Sequence, residues 1–420
     1  MSAPLRVATV ITRLEGGAGM LALRGARAMD SGAFQQTIIT GSGNGLVRAA
    51  AEAGLEVLLE PALRAPISPR SDVVALFRLY SLFRERRFDV VHTHCAKAGA
   101  VGRLAAHRAG IARVVHTFHG FPFHEFQSAA RRRCYVSIER RLGRITDVAL
   151  CVGSGVAVEA IRRGLVAPER IRTIGVTVDG AGGVSGLSGV SGLDGVNGRD
   201  GAGAFATSTS TPTPQARQRA RRALGLPADA TVVGAVGRLT YQKAPEHFLA
   251  ALQALRRRNV VGVWIGSGEL SGRVRRLASA MPAVRVVLAG ERSDVLDLLP
   301  AFDVFALPSR YEGLPTAVVE AMVCGIPVVA TAVSAVADVV MPGETGLLVP
   351  PDRPDLLADA IRHLLDSPET ATRLAAAARS HIGARYGVAA LRDALAAAYA
   401  SPEPVDRSGP SRLPSATSVR

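Results

Sequence analysis

The chain contains little lysine, cysteine or tryptophan, and it lacks any long run of apolar residues. Two of its 50 cationic residues are lysines, Lys97 and Lys243, a skew that indicates mutational or codon bias rather than selection for one partner. None of the four cysteines belongs to a Cys-x-x-Cys spacing, which favours free cytosolic thiols. No segment holds about 18 consecutive apolar residues, so we predict no transmembrane helix.

The formal net charge is +15, and part of it lies in two local clusters of arginine. A solvated charged face is the ordinary interpretation of such clusters. The alternative is a surface that binds anionic lipid headgroups. Nucleic acid is not predicted as a partner, because no recognition-helix or RNA-binding signature accompanies the charge. The clusters contain Arg78, Arg84, Arg86 and Arg87, and Arg131, Arg132, Arg133, Arg140, Arg141 and Arg144.

With 420 residues, 48% of them hydrophobic, the chain is long enough for two domains that each have a core. The first 17 residues predict a buried strand and a glycine turn rather than a signal peptide, because no basic region precedes a long apolar core. We therefore expect a cytoplasmic protein. It would be peripheral on the inner face of the cell membrane if the basic faces bind lipid.

Apolar strand-like runs alternate with helix-length amphipathic segments in two separate series. Runs that are apolar on both faces predict a parallel sheet covered by helices on two sides. Two series predict an α/β protein of two doubly wound, Rossmann-like domains that face a cleft, where ligands bind at the carboxyl ends of the strands. The predicted strands are 5–11, 37–40, 56–59, 89–92, 113–117 and 147–152, then 231–236, 260–265, 284–288, 304–307, 328–330 and 346–349.

The predicted first domain is 1–178 and the second is 223–386. Residues 179–222 between them are predicted to be a flexible insertion. Glycine recurs there at every third position from 180 to 201, without the proline of a stable triple helix, and a Ser/Thr/Pro/Gln-rich stretch follows. After the second domain, 387–400 is predicted to be a mostly apolar helix and 401–420 a disordered polar tail.

The most informative stretch is 309–331, where Glu312 precedes a short apolar helix that carries Glu320. Glu320 is the only charged residue between Pro315 and Gly325, and a carboxylate in such surroundings is costly unless it is paired or hydrogen-bonded. Sugar hydroxyls are suitable donors to it. Backbone N–H groups at the start of the helix can bind an anion. Together these features favour a sugar-nucleotide site.

Two cations follow the strand predicted at 231–236. Gly237 and Arg238 come directly after that strand, and Lys243 lies where the next helix begins. A cation at a helix N-terminus opposes the macrodipole, so this position is unfavourable unless an anion binds there. Two ordinary surface cations are the plain interpretation. The functional one is a clamp in which Arg238 and Lys243 stabilise the charge of a leaving nucleoside diphosphate.

Two glycine turns follow other predicted strands. Gly266 and Gly268 form a Gly-x-Gly turn, which indicates either a tight connection or a ligand contact. Gly16 and Gly17 follow the first strand and would let a phosphate or sugar approach the backbone closely. The first turn is not a full G-x-G-x-x-G, and no acidic residue ends the second strand, so neither a nicotinamide nor any other cofactor is predicted.

Four histidines lie at the ends of two neighbouring predicted strands: His92 and His94, then His116 and His119. Because the carboxyl ends of parallel strands converge, we expect His94 and His119 to share the cleft. His92 and His116 are expected to line a wall, and His119 is the better candidate for contacting substrate. A metal site is not predicted, since no further ligand follows at a suitable spacing.

These motifs resemble the retaining GT-B glycosyltransferases of family 4, over about 5–178 and 230–398. The resemblance implies that the second domain binds the nucleotide and the first binds the acceptor. It implies that no metal is needed, which agrees with the lack of an Asp-x-Asp pair. It also implies that the terminal helix at 387–400 crosses back to the first domain. The motifs are Gly16-Gly17, His119-Gly120, Gly237-Arg238-Leu239 with Lys243, and Glu312 through Glu320.

By this match, Glu320 holds the ribose hydroxyls, Glu312 holds the transferred sugar, and His119 contacts that sugar near the reacting carbon. The catalytic residues implied are His119, Arg238, Lys243 and Glu312. The donor-binding residues implied are Gly16, Gly17, Gly237, Gly266, Gly268, Leu314, Pro315, Thr316 and Glu320.

The chain departs from the family pattern at Ala244, where glycine is usual, at 174–176, which lacks Asn-Gly, and at 334–338, which replaces Gly-Gly-x-Pro-Glu. We still expect an active hexosyltransferase-type enzyme. It would move a sugar from a nucleoside-diphosphate sugar to a hydroxyl acceptor, such as a lipid-linked glycan, in cell-surface glycan or glycolipid assembly. The alternatives are a sugar-nucleotide epimerase or hydrolase of the same fold, and a non-catalytic sugar-nucleotide binding protein.

Overall fold

The computed structural model of the chain describes most of both predicted domains. Three predicted features lie outside the described residues: the glycine-rich repeat at 180–201, the polar tail at 401–420, and Leu314. The described residues are 3–43, 45–64, 67–123, 127–175, 212–257, 259–281, 284–292, 294–313, 315–385 and 387–400.

Within the described residues, the first sheet contains seven strands: β1 (Leu5–Leu14), β2 (Phe34–Gly43), β3 (Glu56–Leu59), β4 (Val90–His94), β5 (Arg113–Phe118), β6 (Val148–Cys151) and β7 (Ile171–Thr173). They are parallel and have the spatial order β3-β2-β1-β4-β5-β6-β7. Every residue of β4, β5 and β6 is buried, as expected for strands that helices cover on both faces.

The second sheet contains six described strands: β8 (Thr231–Val236), β9 (Val260–Ile265), β10 (Arg285–Gly290), β11 (Val304–Leu307), β12 (Val328–Thr331) and β13 (Leu347–Val349). Their order, β10-β9-β8-β11-β12-β13, reverses direction between β8 and β11. The first sheet reverses in the same way between β1 and β4. Both orders are doubly wound, so the predicted pair of Rossmann-like α/β domains is confirmed.

The helices alternate with these strands and cover the two sheets. In the described segments they are α1 (Gly16–Ala28), α2 (Gly45–Glu52), α3 (Pro69–Arg86), α4 (Ala96–Ala109), α5 (Ala129–Gly143), α6 (Ser154–Arg162), α7 (Pro214–Ala223), α8 (Pro245–Leu255), α9 (Ser271–Ser279), α10 (Val295–Leu298), α11 (Thr316–Val323), α12 (Val336–Val339), α13 (Pro354–Asp366), α14 (Pro368–Arg385) and α15 (Val388–Tyr399). None of the described helices combines the length and apolar character needed to cross a membrane. The four cysteines are free.

Helix α7 corrects the predicted insertion, because residues 214–222 are helical and packed rather than flexible. Thr213 caps the helix by accepting a hydrogen bond from the Ala216 N–H at 3.2 Å. Arg217 and Arg221 of α7 both form ion pairs with Asp303, which directly precedes β11. The start of the second domain therefore lies upstream of the predicted position at 223.

The last helix, α15, packs against the first domain although it follows the second in the chain. The Tyr399 hydroxyl lies 2.7 Å from Nδ1 of His92 on β4. Nε of Arg113, on β5, donates to the Ala398 carbonyl at 2.9 Å. A β-carbon at Gly25 of α1 would approach Leu395 to 2.9 Å, so α1 and α15 are in close contact.

Candidate active site

The candidate site lies between the carboxyl ends of the central strands of the two sheets. In doubly wound sheets ligands bind where the strand order reverses, which here means beside β1 and β4 and beside β8 and β11. Three predicted residues follow these strands: Gly16 follows β1, Arg238 follows β8, and Glu312 follows β11. The topology thus brings motifs from distant parts of the sequence to the two places where the strand order reverses, one in each sheet.

Two glycines allow the domains to touch across this cleft. A β-carbon at Gly17 would lie 2.9 Å from Oγ1 of Thr316, the first residue of α11. A β-carbon at Gly313 would lie 2.0 Å from the carbonyl oxygen of His119. Both separations are too short for a larger residue. The glycines therefore place His119 beside the Glu312 loop and the first glycine turn beside the start of α11.

The turn with Gly266 and Gly268 packs against the loop that follows β8. A β-carbon at Gly266 would lie 2.2 Å from the Gly237 carbonyl oxygen, and one at Gly268 would lie 2.5 Å from that of Leu239. The indole N–H of Trp264 also donates to the Gly237 carbonyl at 2.8 Å. Close packing against this loop thus explains both glycines as part of a tight connection. Their predicted contact with the donor stays a prediction.

Lys243 and Glu312 form a part-buried ion pair, with 2.5 Å between Nζ and Oε1. The same carboxylate oxygen accepts a hydrogen bond from the Ser309 hydroxyl at 2.6 Å, and Oε2 lies 3.5 Å from the Gln242 amide nitrogen. A β-carbon at Gly237 would lie 3.1 Å from Cε of Lys243, so the glycine leaves room for the lysine side chain. Side chains of the loops after β8 and β11 therefore hold the ion pair in place.

This pair corrects the argument that Lys243 needs a bound anion as a partner. Glu312 supplies the anion from within the protein, and Lys243 belongs to a short 3-10 turn, Tyr241–Lys243, ahead of α8. An ammonium group has three donors, so Lys243 keeps donors for a phosphate while it binds Glu312. Arg238 is exposed, on the loop directly after β8.

Helix α11 begins at Thr316, and its N-cap residue, Pro315, makes no side-chain hydrogen bond to the first N–H groups. Such groups are the usual anion-binding feature of a helix start. Thr316 and Glu320 are four residues apart and so lie on one face of the helix. Glu320 is half-buried. Its charge is the second cause, after burial, that raises the pKa of Cys324 to about 12.

The histidines meet as predicted at the ends of β4 and β5. His94 Nδ1 lies 2.9 Å from His119 Nε2, and the two rings are 5.2 Å apart. His92 is held between the Tyr399 and Thr117 hydroxyls at 2.7 Å each. No group of described residues has the donors for a metal ion, these histidines included.

Burial keeps all four histidines neutral. It lowers the pKa of His119 to about 4 and, with the neighbouring His119, the pKa of His92 to about 3. The pKa values of His94 and His116 lie well below the ordinary value for the same first reason. The ring of His119 therefore offers one N–H donor and one acceptor, not a cation, at neutral pH.

Two family models match the chain, Glycosyltransferase Family 4 over residues 15–180 and Glycosyl transferases group 1 over residues 216–381. The D-inositol 3-phosphate glycosyltransferase of Kineococcus radiotolerans is 32% identical over 330 residues, which are 73% of this chain and 70% of that protein. This chain belongs to the GT-B glycosyltransferases of family 4. The resemblance seen in the sequence is confirmed.

Another relative is the Escherichia coli UDP-Gal:alpha-D-GlcNAc-diphosphoundecaprenol alpha-1,3-galactosyltransferase. It is 30% identical over 273 residues, and the match spans 64% of each chain. Two solved structures share the fold. HepE from Anabaena, in complex with UDP and glucose, has a TM-score of 0.76 at 18% identity, and sucrose-phosphate synthase from Thermosynechococcus elongatus has 0.73 at 20%. Each covers 94% of this chain, and 98% of the solved chain is matched.

The segment 334–338, which departs from the family 4 pattern, makes a contact between the domains. The Asp338 carboxylate accepts hydrogen bonds from the backbone N–H of Ser154, at 2.5 Å, and from its hydroxyl. A β-carbon at Gly153 would lie 2.5 Å from the β-carbon of Ala335. The altered segment therefore packs against the start of α6, a contact that sequence reasoning did not reveal.

Two further side chains in this family 4 site were missed in the sequence analysis. Ser309 and Gln242 support Glu312. Both lie within three residues of a motif residue, which was the only available signal. His94 was expected beside His119, and the structure confirms that contact.

Proposed function

We propose that this family 4 chain transfers a hexose-type sugar from a nucleoside-diphosphate sugar to a hydroxyl acceptor, with retention of anomeric configuration. The observation that carries the proposal is the Lys243–Glu312 pair beside β8 and β11, with His119 brought to the same loop by Gly313. Cations can bind the phosphates of a sugar nucleotide, and a buried carboxylate can bind the hydroxyls of its sugar. The site therefore suits both halves of such a donor.

The proposed chemistry depends on the stabilisation of a leaving group. As the bond between the anomeric carbon and the diphosphate breaks, Arg238 and Lys243 balance the charge that develops on the phosphate oxygens. The N–H groups at the start of α11 add to this effect. Glu312 accepts hydrogen bonds from the sugar and Glu320 from the ribose. The two cations stabilise the leaving group directly, so this scheme requires no metal.

Retention follows if the acceptor reacts on the face from which the diphosphate departs. The acceptor oxygen forms the new bond to the anomeric carbon while the bond to the diphosphate breaks. Its proton passes to the departing phosphate oxygen, which serves as the base. His119, held neutral, donates or accepts one hydrogen bond with the transferred sugar.

A lipid-linked glycan is the proposed acceptor, in the assembly of a cell-surface glycan or glycolipid. The name of the Escherichia coli relative, whose acceptor is a diphosphoundecaprenol-linked sugar, supports this choice. The D-inositol 3-phosphate relative instead suggests a small phosphorylated acceptor. In both cases the group that reacts is a hydroxyl.

A panel of sugar nucleotides tests the donor. The true donor at 100 times its Kd is expected to raise the free energy of unfolding by about 2.7 kcal/mol, measured as a thermal shift. Glu320→Gln should weaken this shift, whereas Glu344→Gln, at an exposed glutamate of the same domain, should leave it unchanged.

Product analysis with the same donor separates the remaining candidates. A glycoside product supports the transferase. Release of free sugar without an acceptor indicates a hydrolase, a converted donor indicates an epimerase, and binding without turnover indicates a non-catalytic protein. If no sugar nucleotide shifts the melting temperature, the proposed donor class is wrong.

An anionic membrane surface is the proposed second partner, with the protein peripheral on the cytoplasmic side. The outer face of α3 presents the apolar residues Val73, Val74 and Phe77, of which Phe77 is 65% exposed. Arg70 and Arg84 flank them at helical spacing and are also exposed. Apolar residues flanked by arginines fit the boundary between headgroups and acyl chains.

Co-sedimentation with vesicles containing anionic lipid tests this surface. We expect binding at low salt that weakens as the salt concentration rises, because exposed charges are screened. Phe77→Ser should reduce binding severalfold. Val158→Ser, at a residue of α6 with 62% exposure, is the matched control. Equal loss in both variants, or no binding at low salt, would contradict the assignment.

A further inference from the structure

His94 is a buried side chain whose ring contacts the ring of His119. It is 3% exposed at the end of β4, and its Nδ1 lies 2.9 Å from Nε2 of His119. The contact occupies Nε2 of His119, so Nδ1 is the remaining polar atom of that ring. Any hydrogen bond between the His119 ring and a substrate in the cleft must therefore use Nδ1.

The ring of His94 packs against His92, which is itself hydrogen-bonded on both sides. The ring of His92 lies 4.2 Å from the ring of His94, centre to centre. His92 is in turn held by the Thr117 hydroxyl and by the hydroxyl of Tyr399 on α15. The first sheet and the last helix thus hold His94 in place beneath His119.

The hydrogen-bond partners of the two rings, His94 and His119, indicate which tautomer each ring adopts. Both rings are neutral, so each carries one N–H. Nε2 of His94 is buried and has no hydrogen-bond partner among the described residues. If the proton were on that atom, a buried N–H would be unsatisfied, which is rarer in proteins than an unsatisfied acceptor. The proton of His94 is therefore on Nδ1, and Nε2 of His119 accepts it.

We propose that His94 is a positioning residue that keeps the proton of His119 on Nδ1, so that His119 presents an N–H donor to an oxygen of the transferred sugar. The inference rests on the proposed function for its kinetic consequence. The tautomer itself is a property of the protein without any ligand.

His116 provides a matched control for this role. It is as buried as His94, but it lies on the opposite face of the sheet, where its Nδ1 is 2.8 Å from the Thr93 hydroxyl. Replacing either histidine with phenylalanine removes a buried ring hydrogen bond and keeps a planar ring in the core. Only the change at His94 removes the partner of His119.

Nitrogen NMR of the histidine rings tests the tautomer directly. We expect the wild-type protein to show His119 protonated at Nδ1 and unprotonated at Nε2. In His94→Phe, the His119 signals should shift towards the Nε2-protonated form or a mixture, and in His94→Asn, whose amide nitrogen can replace Nδ1, they should return. A wild-type His119 protonated at Nε2, or signals unchanged in His94→Phe, would overturn the proposal whether or not the enzyme transfers sugar.

Steady-state kinetics test the consequence. His94→Phe is expected to lower kcat/KM about 10-fold, the value of one neutral hydrogen bond, with most of the loss restored in His94→Asn. In a His119→Ala background the same change should have no further effect, because His94 acts through His119. His116→Phe should keep the wild-type kcat/KM. Additive losses, or an equal loss in His116→Phe, would show a structural role instead.

Discussion

Lys243→Ala is expected to lower kcat by about 10²–10³-fold, because removing one preorganised donor from a developing negative charge costs about 2.7–4 kcal/mol. The affinity for the donor should change less than kcat, since the charge on the diphosphate grows as its bond to the sugar breaks. Turnover with saturating donor and acceptor measures the effect. Near-wild-type turnover would remove Lys243 from the proposed clamp.

The chain offers a matched control in its other lysine. Lys97 forms an ion pair with Asp72, with 2.6 Å between Nζ and Oδ1, and its side chain is 14% exposed against 15% for Lys243. Lys97→Ala removes a lysine of the same burial and pairing from the first domain. It should leave kcat within a few-fold of the wild type.

A double variant separates catalysis from stability. Lys243→Ala leaves the Glu312 carboxylate, 5% exposed, without its cation, and an unpaired buried charge destabilises a protein. In Lys243→Ala/Glu312→Gln the buried charge is absent, so the melting temperature should recover towards that of the wild type. Because Glu312→Gln itself removes a proposed contact with the sugar, kcat is compared in Lys243→Ala alone, well below its melting temperature. A kcat that stays low there would show that the loss is catalytic rather than a consequence of unfolding.

The strands were predictable because burial on both faces makes them apolar throughout. The structure confirms the predicted limits of β3, β8, β9 and β11 without change. β7 was missed because it is short and only one of its three residues, Ile171, is buried. α7 was missed because its sequence is polar, although Thr213 and Pro214 are a recognisable cap and first residue.

The residues of the candidate site were named from their motifs, and their roles stay predictions, but most of the contacts between them could not be predicted. Lys243 and Glu312 are 69 positions apart in the sequence, and Ser154 and Asp338 are 184 apart. No local spacing encodes such pairs, because they depend on where two sheets and two domains meet. Parallel-strand geometry did predict that His94 and His119 converge, since they follow neighbouring strands.

Stability towards acid is expected to depend on the buried histidines. Their folded-state pKa values, about 4 for His119, about 3 for His92 and well below 6.5 for His94 and His116, are depressed by burial. The unfolded chain therefore binds more protons than the folded protein below pH 6.5. The contribution of these histidines to stability is complete above that pH and falls as the pH drops towards 4, by at most about 1.4 kcal/mol per pH unit for each histidine.

Urea unfolding between pH 7.5 and about 4.5 measures this slope, with each variant compared with the wild type. His116→Asn should reduce the pH dependence by the contribution of one group, because burial, and after it the charge of Arg103, lowers the pKa of His116 and keeps the ring neutral in the folded protein. His107→Asn, at an exposed residue of α4, should leave the slope unchanged. A free energy of unfolding that is flat from pH 7 to pH 5 would mean that the cluster is protonated, or open to water, in the folded state.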